Sequence, residues 1–301
     1  NTITFNYLFG PGVYNMTVTY LGNRNYNKAE NTTAKLIVTP RAIISAEDVV
    51  MYYKNGTRYV VNLTDADGKP LANETVTITI NGASYNRTTN ENGTASIAIN
   101  LEPGNYTVSA SYGFGHIVDT SVENNITVLS TITNNKNLVK YFRNATQFVI
   151  TILDGQGNPA AAGETVTFNI NGVFYERKAN ESGQVKLNIN LEPGEYIITA
   201  DYKGCRVSNN ITVLSILNAS DLTKAYKDST PFKVQVLDGQ GKPLANAVVT
   251  FNINGVFYNR TSDSDGIAKL NINLQKGEYI ITSSYNGLSI SNTIIVVNGK
   301  S

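Results

Sequence analysis

The stretch Val249-Thr250-Phe251-Asn252-Ile253-Asn254-Gly255-Val256-Phe257-Tyr258-Asn259-Arg260-Thr261 decides the fold of this chain. Val249, Phe251 and Ile253 alternate with Thr250 and Asn252, the pattern of a half-buried strand. Asn254-Gly255 is the favoured pair for a two-residue hairpin turn, since both positions need positive φ. Val256 to Thr261 is therefore expected to return antiparallel. Upstream, Phe232, Val234 and Val236 alternate with Lys233 and Gln235 until Asp238-Gly239-Gln240-Gly241-Lys242-Pro243 breaks the run. Downstream, Ser262 to Gly266 turns the chain, and Leu270, Ile272 and Leu274 face inward opposite Lys269, Asn271 and Asn273. Glu278 to Tyr285 and Leu288 to Val297 follow, joined by Asn286-Gly287. With Leu222 to Tyr226 in front, seven short strands are expected. Strands at this spacing, separated by turn signals, predict an immunoglobulin-like β-sandwich. No segment holds a 3.6-residue apolar period, so almost no helix is expected.

The same pattern occurs three times. Gly82, Gly172 and Gly255 correspond, as do Gly93, Gly183 and Gly266, and Tyr106, Tyr196 and Tyr279, at offsets of 90 and then 83 residues. Residues 3–20 match the last third of a module, with Pro11-Gly12 and Tyr14 at the equivalent places. The expected fold class is all-β: tandem immunoglobulin-like sandwiches in an elongated array. The expected organisation is a partial module at 1–40, carrying its C-terminal strands only, and whole modules at 41–129, 130–214 and 215–301. Short linkers are expected near residues 39–45, 128–135 and 213–220. The chain reads as an excerpt of a longer array, whose anchoring signals would lie outside it.

Composition narrows the function. Net charge is +1, with 16% charged residues and no basic stripe, so nucleic acid is a poor candidate partner. No apolar run is long enough to cross a bilayer, and no membrane insertion is expected of this segment. No signal peptide is visible at the N-terminus. The lone Cys205 excludes a disulfide within the chain, leaving a buried thiol or a cross-link to another chain. There is one histidine, His116, and neither a His/Cys cluster nor a nucleophile–base–orienter set occurs. No enzyme, cofactor or metal is expected.

Fourteen Asn-x-Ser/Thr triplets occur, at Asn15, Asn31, Asn55, Asn62, Asn73, Asn86, Asn92, Asn105, Asn125, Asn144, Asn180, Asn210, Asn218 and Asn259. In a secreted or surface setting these are glycan acceptors. Roughly half that number would arise by chance in a chain so rich in Asn, Ser and Thr. In Asn125-Ile126-Thr127-Val128, strand alternation turns Asn and Thr away from Ile and Val, towards water.

The pattern Val-x-Val-x-Asp-x-x-Gly-x-Pro, then Val-Thr-Phe, Asn-Gly, Asp-x-Gly-x-Ala-x-Leu and Gly-x-Tyr-x-Ile resembles the bacterial immunoglobulin-like repeat of the invasin and intimin type. Val249-Thr250-Phe251-Asn252-Ile253-Asn254-Gly255 and Lys269-Leu270-Asn271-Ile272-Asn273-Leu274 are most similar to repeats of the adhesin-like surface proteins of methanogenic archaea. The resemblance covers residues 41–298 and implies an extracellular, cell-surface location and a rigid stalk. Separately, the expected partners are other modules of the same longer chain, with surface glycan or protein, or self-association into a fibre through the incomplete front module, as alternatives.

Several residues carry competing readings. Tyr14, Tyr106, Tyr196 and Tyr279 stand where a tyrosine corner would sit, bonding back to the chain upstream. Without the disulfide and tryptophan of antibody domains, the core is expected to rest on aliphatic packing. Asp263-Ser264-Asp265-Gly266 and Asp65-Ala66-Asp67-Gly68 admit calcium or a plain β-turn, and Asn90 and Asn180 at equivalent places favour the turn. Lys140 and Lys224 could form isopeptides with Asn209 and Asn292, or blunt an edge strand; Met51 at the equivalent place argues against a shared cross-link. Tyr85, Phe174-Tyr175 and Phe257-Tyr258 could stack on sugar, with one residue of each pair expected in the core. The first module has a last hairpin five residues longer than its neighbours, around 112–120, and the second has an extra residue at Ala160-Ala161-Ala162-Gly163. Such insertions are tolerated drift or acquired binding loops.

Overall fold

A computed structural model describes residues 9–115 and 117–299. Its elements are β-strands joined by turns, with no helix among the described residues. The chain divides into two compact units: one reaches Thr131 and includes Leu153–Asn158, and the other holds Ile132–Ile152 and the rest.

The Asn-Gly turns behave as their chemistry requires. Asn254 has φ 52° and Gly255 φ 76°, and Ile253 pairs directly with Val256 across the hairpin. In the third module Val248–Ile253 and Val256–Thr261 belong to a five-stranded sheet in the order Leu222–Ala225, Leu288–Val297, Gly277–Tyr285, Val248–Ile253, Val256–Thr261. The first of these runs parallel to Leu288–Val297, and every other pair is antiparallel. A three-stranded sheet of Leu217–Ala219, Phe232–Val236 and Ile267–Leu270 forms the other layer. The first two modules repeat both layers with the same order. This is the tandem immunoglobulin-like sandwich expected from the alternation.

Each module has eight strands where seven were expected. The leading strand is split: Leu217–Ala219 pairs in the three-stranded layer, and Leu222–Ala225 crosses to the five-stranded one. The expected linkers consequently shrink. Only Ser215 and Ile216 separate strand Cys205–Leu214 from Leu217, and Ile216 and Leu217 are buried at 3% exposure each. Segments that looked like connectors instead seal the core.

The core lies between the layers. Phe232, Val234 and Val236 face Val249, Phe251 and Ile253, all buried. It is less aliphatic than expected. Phe232 and Phe251 meet edge-to-face at 6.1 Å and 83°, and Phe148 and Phe168 repeat the contact at 6.1 Å and 84°. Cys205 is fully buried. Ahead of the first module, Gly12–Tyr20 and Ala29–Val38 form an antiparallel pair.

Candidate functional sites

The recurrent polar residues bond nearby backbone. The four tyrosines each donate to the carbonyl four residues upstream: Tyr14 to Gly10 at 2.7 Å, Tyr106 to Glu102 and Tyr196 to Glu192 at 2.8 Å, and Tyr279 to Gln275 at 2.9 Å. The glycine two residues before each lies under the ring. At Gly277 an added Cβ would stand 3.1 Å from the Tyr279 hydroxyl.

The aspartate turns use their carboxylates on backbone. Asp263 Oδ1 accepts from the N–H groups of Asp265 (3.1 Å) and Ile267 (2.9 Å). Asp65 Oδ1 accepts from Asp67 and Lys69 in the same way. Asn90 and Asn180, which carry no charge, make the same pair of bonds through Oδ1. One acceptor oxygen, charged or neutral, therefore suffices to form this turn. Backbone N–H donors, the Ile267 N–H foremost, hold the Asp263 carboxyl below the usual range. Among the described residues no group of three or more His, Cys, Asp or Glu side chains converges as a metal site would.

Lys140 and Lys224 occupy edge strands, yet their side chains turn inward and are 5% exposed. Lys140 Nζ donates to the carbonyls of Thr146 (3.2 Å) and Ile189 (2.8 Å). Lys224 Nζ donates to Thr230 (2.9 Å) and Ile272 (3.0 Å). Edge blunting is therefore not their role. They tie loose carbonyls at one end of the sandwich, and burial pushes the Lys140 pKa down. Asn209 and Asn292, the imagined isopeptide partners, hold the split in the leading strand. Asn209 Nδ2 donates to the Asn135 carbonyl at 3.1 Å, and Asn292 Nδ2 to Asp221 Oδ1 at 3.1 Å. In the first module Asn124 does this work, and its Oδ1 accepts the Tyr59 hydroxyl at 2.8 Å.

The exposed aromatics overturn an expectation. Phe174 and Phe257 are 70% and 68% exposed, and Tyr258 is 36% exposed, so neither residue of the Phe257-Tyr258 pair is core. Five strands face three, so the outermost strand of the larger sheet lacks a covering layer. Each tyrosine carries an arginine instead: Arg87 over Tyr85, Arg177 over Tyr175 and Arg260 over Tyr258, at 5.5, 5.7 and 5.8 Å. On the outer face of the second module, Asn169, Glu195, Ile197, Thr199 and Asn210 line a shallow depression of about 750 Å³.

The long hairpin of the first module is occupied by its own chain. Arg41 lies over Tyr112 and Phe114, at 5.4 and 4.9 Å from the ring centres. The Arg41 and Ala42 N–H groups donate to Asp119 Oδ2 at 3.0 and 2.9 Å. Tyr112 bridges Arg41 and Glu74 through its hydroxyl. His116 lies outside the described residues.

Of the fourteen triplet asparagines, twelve are exposed and two, Asn55 and Asn144, are half-buried. Asn55 Nδ2 donates to the Gly155 carbonyl at 3.0 Å, and Asn144 Nδ2 to that of Gly239 at 2.7 Å. These two nitrogens are engaged. The triplet pattern makes all fourteen look alike, because nothing in Asn-x-Ser/Thr reports what the amide touches.

The macroglobulin domain MG4 family matches residues 44–112 and 217–284, within the first and third modules. The I9–I11 tandem from titin is similar at 17% identity over 86% of this chain and 100% of that one, with a TM-score of 0.33. Invasin, a bacterial integrin-binding protein, is similar at 21% identity over 87% of this chain and 60% of that one, with a TM-score of 0.26. FdeC, an Escherichia coli adhesin, is similar at 16% identity over 85% of this chain and 96% of that one, with a TM-score of 0.24.

Proposed function

We propose that this chain is a structural stalk segment of a cell-surface adhesin-like protein, of the kind found in methanogenic archaea, and that it projects a binding region away from the cell. One observation carries the reading: the recurrent polar devices close backbone within the array. The corner tyrosines, the Asx turns, the buried lysines and the clamping Asn209 bond main-chain groups, and Asn292 clamps through the Asp221 side chain. Among the described residues, no group of three or more His, Cys, Asp or Glu side chains converges. Catalysis is no part of this reading. The exposed triplet asparagines would carry glycans on an extracellular surface. Small-angle scattering of the whole chain tests the proposal. A module spans about 40 Å end to end, from strands of 5–8 residues at ~3.4 Å rise plus loops. A rod-like profile is expected, and a compact radius of gyration refutes it.

The exposed Phe174 and Phe257 favour a second reading, in which the modules themselves adhere to surface glycan or protein. Phe174 is a neighbour of Asn169, and Ile197, 64% exposed, pairs with Asn210 beside the shallow depression. A glycan array probed with Phe174→Ala and Phe257→Ala, and separately with the 112–120 hairpin shortened, distinguishes the two. Binding lost with the phenylalanines supports the adhesive face. Binding lost with the hairpin places adhesion on the loop, and no binding leaves the stalk.

A further inference from the structure

Two contacts recur that neither module folding nor glycosylation explains. In the unit holding the second and third modules, the turn Tyr141–Asn144 meets the loop Gly239–Gly241. Asn144 Nδ2 donates to the Gly239 carbonyl at 2.7 Å. The Tyr141 ring lies so close over Gly241 that an added Cβ there would collide with it. Arg143 completes the contact from the same turn, with Nη1 donating to Asn286 Oδ1 at 3.3 Å and its guanidinium against Gly287. The other unit holds the same arrangement: Asn55 Nδ2 donates to Gly155, and the Tyr52 ring covers Gly157.

The loop sequence matches the contact. Both receiving loops read Asp-Gly-Gln-Gly, at 154–157 and 238–241, whereas the loop of the first module reads Asp65-Ala66-Asp67-Gly68. An added Cβ at Gly68 would meet nothing within 4 Å, although its φ of 82° is close to the 79° of Gly241. The turn glycine is thus common to all three loops, and the ring lying on it belongs to two.

We propose that Tyr-x-x-Asn of one module and Asp-Gly-Gln-Gly of the next form a clasp that fixes the joint, and that Asn144 is a locking residue rather than a glycan acceptor. The inference deepens the stalk reading by naming the interface that makes it stiff. Asn144 is suited to the role because both ends of its amide are in use. Its Oδ1 accepts the Thr146 N–H at 2.8 Å, which shapes the turn, while Nδ2 reaches across. A glycan on Nδ2 would occupy the space of the Gly239 carbonyl, so clasp and modification exclude one another. In the third module the equivalent turn reads Ala225-Tyr226-Lys227-Asp228, with neither the ring nor the amide donor at the matching positions. Asp228 keeps the local turn, accepting from the Thr230 N–H at 2.9 Å.

That substitution supplies a clean variant. Asn144→Asp keeps the turn acceptor, removes the donor and sets a carboxylate against the Gly239 carbonyl. Spin labels at Ser182→Cys and Ser264→Cys, both exposed, report the distance between the second and third modules in the whole chain, while fully buried Cys205 stays unlabelled. The parent should give one narrow distance distribution by pulsed electron resonance. Asn144→Asp and Tyr141→Ala should lose it, and Gly68→Ala, which strains an equivalent turn outside the clasp, should keep it. A narrow parent distribution that survives both clasp variants overturns the clasp and leaves the stalk standing. A broad parent distribution overturns both. Broadening in Gly68→Ala as well assigns the effect to general strain and overturns the clasp.

Discussion

Phe232→Tyr should stabilise the third module, although it adds a hydroxyl to a core. In the first module Tyr59 occupies the equivalent place, is fully buried, and donates to Asn124 Oδ1 at 2.8 Å. Burial, then the charge of Asp48, pushes its pKa up to about 12, so the hydroxyl keeps its proton at neutral pH. The third module has Phe232 there, and Asn292 Oδ1 is buried without a partner. A buried acceptor left unsatisfied costs about 1–3 kcal/mol, and a typical hydrogen bond contributes a net ~1 kcal/mol. The opposing term is overpacking, which costs about 1–3 kcal/mol where no room exists. The first module accommodates this hydroxyl with Ile78 where the third has Phe251, and with the hydroxyl aimed at Asn292 rather than at that ring a net gain of about 1 kcal/mol is expected. For a module of this size that raises the melting temperature by about 4–8 °C. Calorimetry of the whole chain, with amide exchange at Ile281 and Asn292 to identify the module, measures the shift. Repeating it on an Asn292→Ala background closes a double-mutant cycle. A transition that stays put or falls, or a gain that persists without Asn292, refutes the reasoning.

Three further outcomes are expected. The third module should be the most acid-labile, because Asp221, Asp228, Asp238 and Asp263 all have carboxyls held low, chiefly by backbone N–H donors, where the second module has Asn137, Asn144 and Asn180 and only two such carboxyls, Asp154 and the Lys203-paired Glu164. Their folded pKa values lie below the ordinary 3.8, so this stability is present above that pH and is lost as pH falls through the folded values; module-resolved NMR between pH 5 and 2 checks it, and loss of the second module first counts against it. Lys140→Met, which copies Met51 of the first module, should change stability at neutral pH by no more than about 1 kcal/mol, since two carbonyl contacts are lost while a buried charge is removed. The folded pKa of Lys140 lies below the ordinary 10.5, so the parent should gain stability as pH rises towards that value; chemical denaturation across alkaline pH should show the gain vanish in the variant, and matching pH profiles count against it. Tyr279→Phe should lower the stability of its module by about 0.5–1.5 kcal/mol, the net worth of one hydrogen bond, because the corner is half-exposed rather than sealed; an unchanged midpoint would remove the corner from the stabilising interactions.

Much of the sandwich was legible because its signals are local. Asn254-Gly255 specifies a hairpin through its own dihedral preferences, and the alternation of Phe232, Val234 and Val236 specifies one buried face. The corner tyrosines were legible for the same reason, since each bonds only four residues away. Phe257-Tyr258 was misread because period-two alternation says which side chains share a face, not whether another layer covers it. The inward turn of Lys224 was hidden because its partners are carbonyls of Thr230 and Ile272, the second of them 48 residues distant.

By itself, then, the sequence determined the strands, the turns and the threefold recurrence, all of which depend on dihedral preference and burial within a few residues. The tertiary structure alone decided which faces remain uncovered, which lysines are buried, and which of the fourteen triplet asparagines have an engaged nitrogen. Those properties depend on what lies opposite a side chain in space, and a five-stranded sheet facing a three-stranded one leaves edges that no local pattern encodes.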